Sequence, residues 1–170
     1  ALIASLRERG HDVHVAVPLV KNDAAVLRDL VASDVSVHDI PMRRARISPV
    51  SDALLIIRVL RVLRAVSPQV VLCYTVKPII FGMIAARLFS TPHRFALVTG
   101  LGYAFTNDRA RVVSRIVPQL YRIALKGAET VFFQNPDDEL VFRSRGILPS
   151  NTRSVVLSGS GVDLKEYRYT

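Results

Sequence analysis

The sequence predicts an α/β chain with a parallel sheet and helices on both faces. Three observations carry this. Short apolar runs alternate with stretches of helical periodicity throughout, the order that right-handed strand-helix-strand crossovers require. Two apolar stretches, Val98-Thr99-Gly100-Leu101-Gly102-Tyr103-Ala104-Phe105 and Phe132-Phe133-Gln134-Asn135-Pro136-Asp137-Asp138, end in backbone-permissive or helix-capping residues. In an open α/β sheet such junctions lie at the carboxyl ends of strands, where ligands bind. Val70 to Tyr74 is apolar without alternation, as expected of a central parallel strand.

Each element has a local reason. Ala1 to Arg9 reads as the end of a helix, because Gly10 suits the residue just past a helix terminus. His11 to Pro18 alternates with period two and reads as a strand. Asn22 can cap a helix carrying Ala25, Val26, Leu27, Leu30 and Val31. Val35 to Ile40 is a short strand closed by Pro41, and a helix runs from Ser51 to about Val66. After the strand Val70 to Tyr74, Pro78 opens a helix to about Phe89. Phe95 to Thr99 is the next strand, and a long helical region covers Asp108 to Lys126, kinked or split by Pro118 and ended by Gly127. Thr130 to Gln134 is a strand, Asn135 starts a helix to about Arg145, and Val155 to Leu157 is a last strand before Gly159-Ser160-Gly161. Thr106 to Arg111 and Pro149 to Arg153 read as loops.

The 170 residues suit one domain with a sizeable core, and an apolar share of 50% argues against disorder. The net charge of +9 calls for a partner: anionic lipid, a phosphate-bearing ligand or nucleic acid. Aromatics are few and Trp is absent, which leaves little with which to stack single-stranded bases. Cys73 stands alone in an apolar run; this excludes an internal disulfide and fits a reducing compartment. No apolar run reaches the roughly 18 to 20 residues of a spanning helix, and no signal-peptide pattern occurs. A doubly wound sheet normally opens on the strand that becomes its centre. The sequence begins within a helix and without Met, so a first strand and its loop are expected upstream of Ala1.

Four sets of residues are candidates for function. Gly100-Leu101-Gly102 lacks the third small residue of the dinucleotide fingerprint, because Phe105 occupies that position. Its glycines permit either close backbone approach to a ligand or a tight turn that stacks Tyr103 and Phe105 on the core. Asn135-Pro136-Asp137-Asp138 has the cap, the proline and the carboxylates of a helix start; capping accounts for all of them, while the position after a strand leaves Asn135 open as a cleft residue. Lys77 follows the strand ending at Tyr74 and either meets a phosphate near a helix start or is solvated. In the helix from Ser51, Leu55, Ile56, Val59, Leu60, Val62, Leu63 and Val66 form one face and Arg58, Arg61 and Arg64 fall on the other, with Arg43, Arg44 and Arg46 just before. That pattern fits a helix at an anionic membrane surface or a sheet-covering helix with a solvated basic side. His11, His14, His38 and His93 show no metal-ligand spacing, and no catalytic triad or carboxylate pair emerges.

Gly10-His11-Asp12-Val13, the strand from Val70 leading to Lys77-Pro78, Val98 to Phe105, Phe133-Gln134-Asn135 and Gly159-Ser160-Gly161-Val162-Asp163 together resemble the amino-terminal domain of a GT-B glycosyltransferase of family 4. The likeness is greatest to bacterial enzymes that extend undecaprenyl-diphosphate-linked sugars. The resemblance implies a Rossmann-like, acceptor-binding domain over residues 1–163, with 164–170 starting the interdomain linker. It implies a lipid-linked sugar acceptor, a nucleotide-sugar donor held mainly by a carboxy-terminal domain, no other cofactor, no metal, no nucleic acid, and a peripheral position on the cytoplasmic face of the membrane. Lys77, Thr99, Gly100, Leu101, Gly102, Tyr103 and Asn135 would then line the acceptor cleft. Arg43, Arg44, Arg46, Arg58, Arg61 and Arg64 would face the membrane and the acceptor diphosphate. Many family members have His where this chain has Thr99, so no catalytic residue is assigned, and this stretch is not expected to turn over alone. The alternatives are another nucleotide-sugar enzyme such as a GT-B epimerase, and a basic α/β module that binds membranes or nucleic acid.

Overall fold

The computed structural model describes residues 2–18, 28, 30, 35–42, 48–100 and 111–157. The expected helix from Asn22, Arg43, Arg44, Arg46, the loop residues Leu101, Gly102 and Tyr103, and the closing Gly159-Ser160-Gly161 fall outside these. The chain divides into two compact units, one running to Arg58 and one beginning at Val59.

The first unit opens with α1 (Leu2–Glu8), which ends at Gly10 in the left-handed conformation, φ 80°. Two short strands follow, β1 (His14–Val17) and β2 (Ser36–Asp39), paired in parallel with His14 opposite Ser36 and Ala16 opposite His38. β1 is shorter than the alternation of His11 to Pro18 suggests, because the ladder extends only as far as β2 can pair with it. Helix α2 (Pro49–Val66) begins two residues before the expected Ser51. The Asp52 carboxylate accepts from the Ser48 N–H at 3.1 Å, and Pro49 has no N–H to leave unpaired.

The second unit is a four-stranded parallel sheet in the order β3 (Val70–Tyr74), β4 (His93–Val98), β5 (Thr130–Phe133), β6 (Arg153–Val156). The β3 to β4 connection is a π-helical turn, Pro78–Gly82, continued by α3 (Met83–Leu88). The expected single helix from Pro78 therefore starts over-wide: one extra residue is accommodated in its first turn. Helix α4 (Arg111–Ala124) joins β4 to β5 and continues through Pro118, which neither splits nor ends it. Helix α5 (Pro136–Ser144) joins β5 to β6. Sequential strand order with right-handed crossovers places these helices on one face.

That face holds the core of the unit. Phe133 packs edge-on against Phe142 of α5 with ring centroids 5.3 Å apart, and Phe142 meets Tyr121 of α4 at 5.0 Å. Ile79, Met83, Val98, Leu125, Val131 and Ile147 are fully buried with them, each contributing about 1.5–3 kcal/mol relative to an exposed side chain. Burial also pushes the Tyr121 hydroxyl far above its ordinary range, with the Asp138 carboxylate adding to the effect. At Gly82 a β-carbon would stand 2.8 Å from Cys73 Sγ, so this glycine is what lets the π turn sit down on β3.

The run Val70 to Tyr74 reads as a central strand, yet among the described residues β3 has a strand partner only on its β4 side. Val70, Leu72 and Tyr74, on the face away from the crossover helices, are 54, 37 and 40% exposed. Its composition is that of a strand enclosed on every side, and its described neighbours enclose it on two.

Candidate functional site

The parallel register brings three of the junctions singled out in the sequence to one edge of the sheet. Tyr74 pairs with Leu97, Leu97 with Phe132 and Val98 with Phe133. The residues after these strands, Thr75 to Lys77, Thr99 to Gly100 and Gln134 to Asn135, therefore lie side by side at the carboxyl ends. With strands about 4.8 Å apart, the row is roughly 10 Å long. In open α/β sheets this is the edge where ligands bind.

The first junction is conformationally unusual. Thr75 has φ 63°, a left-handed backbone that costs a β-branched residue about 1–3 kcal/mol. Its carbonyl accepts from the Ile79 N–H at 3.0 Å, which helps start the π turn. Lys77 precedes Pro78 with helical backbone angles and is only 9% exposed. This burial does not suit a fully solvated ammonium group. Nothing in the residue types around Thr75 signals its conformation.

The second junction turns on Gly100, φ 145°. Among the described residues a β-carbon there would meet nothing within 4 Å, so the backbone conformation is what calls for glycine. Thr99 beside it is exposed.

At the third junction Asn135 is extended, and its Oδ1 accepts from the Asp138 N–H at 2.8 Å. Its Nδ2 donates to Asp138 Oδ2, also at 2.8 Å. Asp138 is buried at 5% exposure. Both polar atoms of Asn135 are thus engaged in starting α5, as the capping reading requires.

The arginines of α2 lie as the periodicity predicts, on the side away from buried Asp52, Leu55 and Leu63. Arg61 and Arg64 are exposed, and Arg58 is half-buried with Nη1 donating to the Pro41 carbonyl at 3.0 Å. The same side carries Val50, Leu54 and Ile57, 73, 45 and 45% exposed, which the expected apolar face did not include.

Each unit carries one further polar feature. His14 Nδ1 faces His38 Nε2 at 2.9 Å, and His14 Nε2 lies 3.2 Å from Asp12 Oδ2. With Asp12 ionised, His14 donates to it and accepts from His38, so the three form a hydrogen-bonded row across β1 and β2. Among the described residues no group of three or more His, Cys, Asp or Glu is arranged to hold a metal. A groove of about 730 Å³ lies at the opposite, amino edge of the second unit, lined by Arg122, Lys126, Arg143, Pro149, Ser150 and Asn151 among others. Its basic character has a structural cause. Arg122 donates to the carbonyls of Gly146 at 2.6 Å and Arg145 at 2.9 Å, satisfying the carboxy-terminal end of α5.

A family model described as glycosyl transferase 4-like matches residues 1–135. The chain belongs to this family. The glycosyl transferase 4-like segment covers β1 to β5 and all three junctions. The chain is similar to N,N'-diacetylbacillosaminyl-diphospho-undecaprenol alpha-1,3-N-acetylgalactosaminyltransferase of Campylobacter jejuni, with 27% identity over 168 residues, 98% of this chain and 43% of that enzyme. In fold it resembles the crystal structure of Acinetobacter baumannii MurG, with a TM-score of 0.57 and 16% identity over 97% of this chain and 42% of that one. The chain therefore spans less than half the length of either protein. The family and the parallel α/β fold expected from the sequence are both found.

Proposed function

We propose that this chain is the acceptor-binding half of a retaining glycosyltransferase, which passes a sugar from a nucleotide sugar to a lipid-linked glycan at the cytoplasmic face of a membrane. The observation that carries the reading is the row of junctions at the carboxyl edge in a chain of the glycosyl transferase 4-like family. The similarity to an enzyme whose name specifies a diphospho-undecaprenol acceptor supports the acceptor class.

The chemistry asks for stabilisation of an oxocarbenium-like transition state and of a departing diphosphate. On this reading the donor sits mainly in a partner domain beyond this chain. Lys77 and the backbone at Gly100 to Tyr103 border the acceptor, and Asn135 holds the adjoining helix start in place. The strained Thr75 fixes the direction in which the chain leaves β3 toward Lys77. Arg58, Arg61 and Arg64, with Arg43, Arg44 and Arg46 ahead of them in sequence, meet lipid phosphates.

The test incubates the full-length gene product with a panel of labelled nucleotide sugars, inner-membrane lipid and an undecaprenyl-diphosphate-sugar acceptor. Transfer of label to the lipid, lost in Lys77→Ala and Gly102→Val variants that still fold, is the expected result. Transfer unaffected by both substitutions would remove the acceptor site from this edge. Nucleic-acid binding with a steep salt dependence and no transfer would point to the basic-module alternative.

A further inference from the structure

β1 and β2 pair over only a short ladder, from His14 opposite Ser36 to Val17 opposite Asp39. Two strands paired over so short a length are marginal in water, so a side-chain link across them carries weight. By strand alternation His14, Ala16, Ser36 and His38 share one face of the ladder. On that face the two histidines meet diagonally.

Their contact is of one specific kind. His14 Nδ1 and His38 Nε2 are 2.9 Å apart, while the ring centroids are 5.2 Å apart and the ring planes differ by 20°. The difference between the two distances is about the width of one ring, so the rings meet end to end and nearly coplanar. That is the arrangement of an N–H···N hydrogen bond, with room for one proton between the nitrogens. The other side of His14 fixes where that proton belongs. His14 Nε2 lies 3.2 Å from Asp12 Oδ2. With Asp12 ionised, Nε2 donates, Nδ1 must accept, and the proton in the gap is carried by His38.

We infer that β1 and β2 are held by a proton-operated clasp, in which His14 and His38 share one proton between their rings and part when both rings become cations. The first added proton goes to His38 Nδ1, outside the gap. His38 is then an imidazolium, and its bond to His14 becomes charge-assisted, with the Asp12 carboxylate at the far end of the row. The second proton can go only to His14 Nδ1. Two N–H groups and two cations would then face each other across the gap, and the hydrogen bond is lost. The stabilisation is therefore present while the row holds at most one added proton. It disappears as pH falls through the second uptake, within the range of about pH 8 to 5 where imidazoles act as switches.

The neighbouring charges are few among the described residues. Arg7 of α1 reaches Asp12 Oδ1 at 4.0 Å. Asp39 follows His38 and, by alternation, lies on the other face of the ladder. His11 is exposed and precedes β1. Asp12 is thus the carboxylate that faces the row. Just past β2, the Pro41 carbonyl receives Arg58 of α2 at 3.0 Å, so a loosened β2 also frees the anchor of that arginine. The inference is independent of the proposed function.

The experiment uses the full-length gene product with its histidine rings isotopically labelled at nitrogen. Magnetic resonance can detect scalar coupling between two nitrogens through a hydrogen bond. Coupling between His14 Nδ1 and His38 Nε2 is expected at about pH 7.5 and should vanish by about pH 5. Amide exchange reports the strands. The Ser36 and Ile40 N–H groups donate to the Val13 and Val17 carbonyls at 3.2 and 3.0 Å. Their protection factors should fall roughly tenfold over the same range, the worth of one hydrogen bond. Protection of Gln134 in the second unit, whose N–H donates to Val98, should hold.

His38→Gln supplies the comparison. A glutamine amide can donate to His14 Nδ1 or, turned over, accept from it, so Ser36 and Ile40 should stay equally protected at both pH values. No coupling at neutral pH would overturn the shared proton. Coupling that persists in acid with unchanged protection would overturn the switch. An equal acid loss of protection in the parent and in His38→Gln would do the same. The coupling is read on the parent, so the inference stands or falls even if the variant does not fold.

Discussion

Thr75 holds a left-handed backbone at φ 63° where glycine would be at ease. Thr75→Gly should raise stability by about 1 kcal/mol, read from denaturant midpoints, because the strain exceeds the extra freedom gained by the unfolded chain. If the strained turn positions Lys77, acceptor-dependent transfer by the full-length protein should fall in the same variant. Asn135 offers a complementary case. Asn135→Ala should cost about 1 kcal/mol as a lost cap. Asn135→Asp should cost more than that, since its carboxylate would stand where Nδ2 now donates to Asp138 at 2.8 Å.

A third residue gives a pH dependence. Glu139 accepts from the Ser154 hydroxyl and from Arg143, and these bonds, Ser154 first, hold its carboxyl below the ordinary carboxylate range. A carboxylate with a depressed folded-state pKa stabilises above its unfolded value, near 4.5, and that contribution is lost as pH falls through the folded value. Urea melts across this range should show a shallower acid loss for Glu139→Gln than for the parent.

At the scale of elements, the π turn packs closely on β3. Gly82→Ala would put a β-carbon 2.8 Å from Cys73 Sγ and should cost about 1–3 kcal/mol. Cys73→Ala should relieve much of this, so the double variant should be more stable than Gly82→Ala alone, a coupling that thermal melts can measure.

What the sequence discloses about elements depends on where their signals lie. The limits of β3 are legible because Pro68 and Pro78 punctuate a run of purely apolar residues. β4 begins at His93, two residues before the expected Phe95, because His93 and Arg94 pair in the ladder without looking like strand residues. β6 likewise begins at Arg153, inside the expected loop. Register partners on β3 and β5 recruit these residues, and no local pattern reports a partner elsewhere in the chain. The carboxyl-edge site was legible through Gly100, Asn135 and Lys77, whose types mark turns and helix starts. Thr75 was not, since threonine ordinarily signals the opposite conformation. In α2 the arginines mark a basic side from their spacing alone, whereas the apolar residues that share it, Val50, Leu54 and Ile57, are marked only by their exposure.

For the molecule as a whole, the charge of +9 divides into two kinds. Arg87, Arg94 and Arg122 donate to carbonyls at Ile123, Gly127 and Gly146, serving helix and loop ends that lie near them in space. Arg61 and Arg64 have no such task among the described hydrogen bonds and remain exposed. A membrane partner should therefore be held by a minority of the basic residues. Raising salt from about 0.1 to 1 M shortens the screening length from about 10 to 3 Å. Flotation with anionic vesicles should weaken over that range without vanishing, the remainder coming from the apolar half of α2. Complete release would assign the association to charge alone.

The closeness of Gly82 to Cys73 has a practical corollary. The Cys73 thiol is buried, and that burial pushes its pKa up to about 12, so neither access nor ionisation allows it to react in the closed fold. Alkylation must wait for the π turn to lift from β3. The rate of modification of this one sulfur, compared with that of a free thiol, thus gives the free energy of opening at the strand leading into Thr75 and Lys77. The chain carries its own clock for breathing beside the proposed cleft, and an acceptor that binds there should slow it.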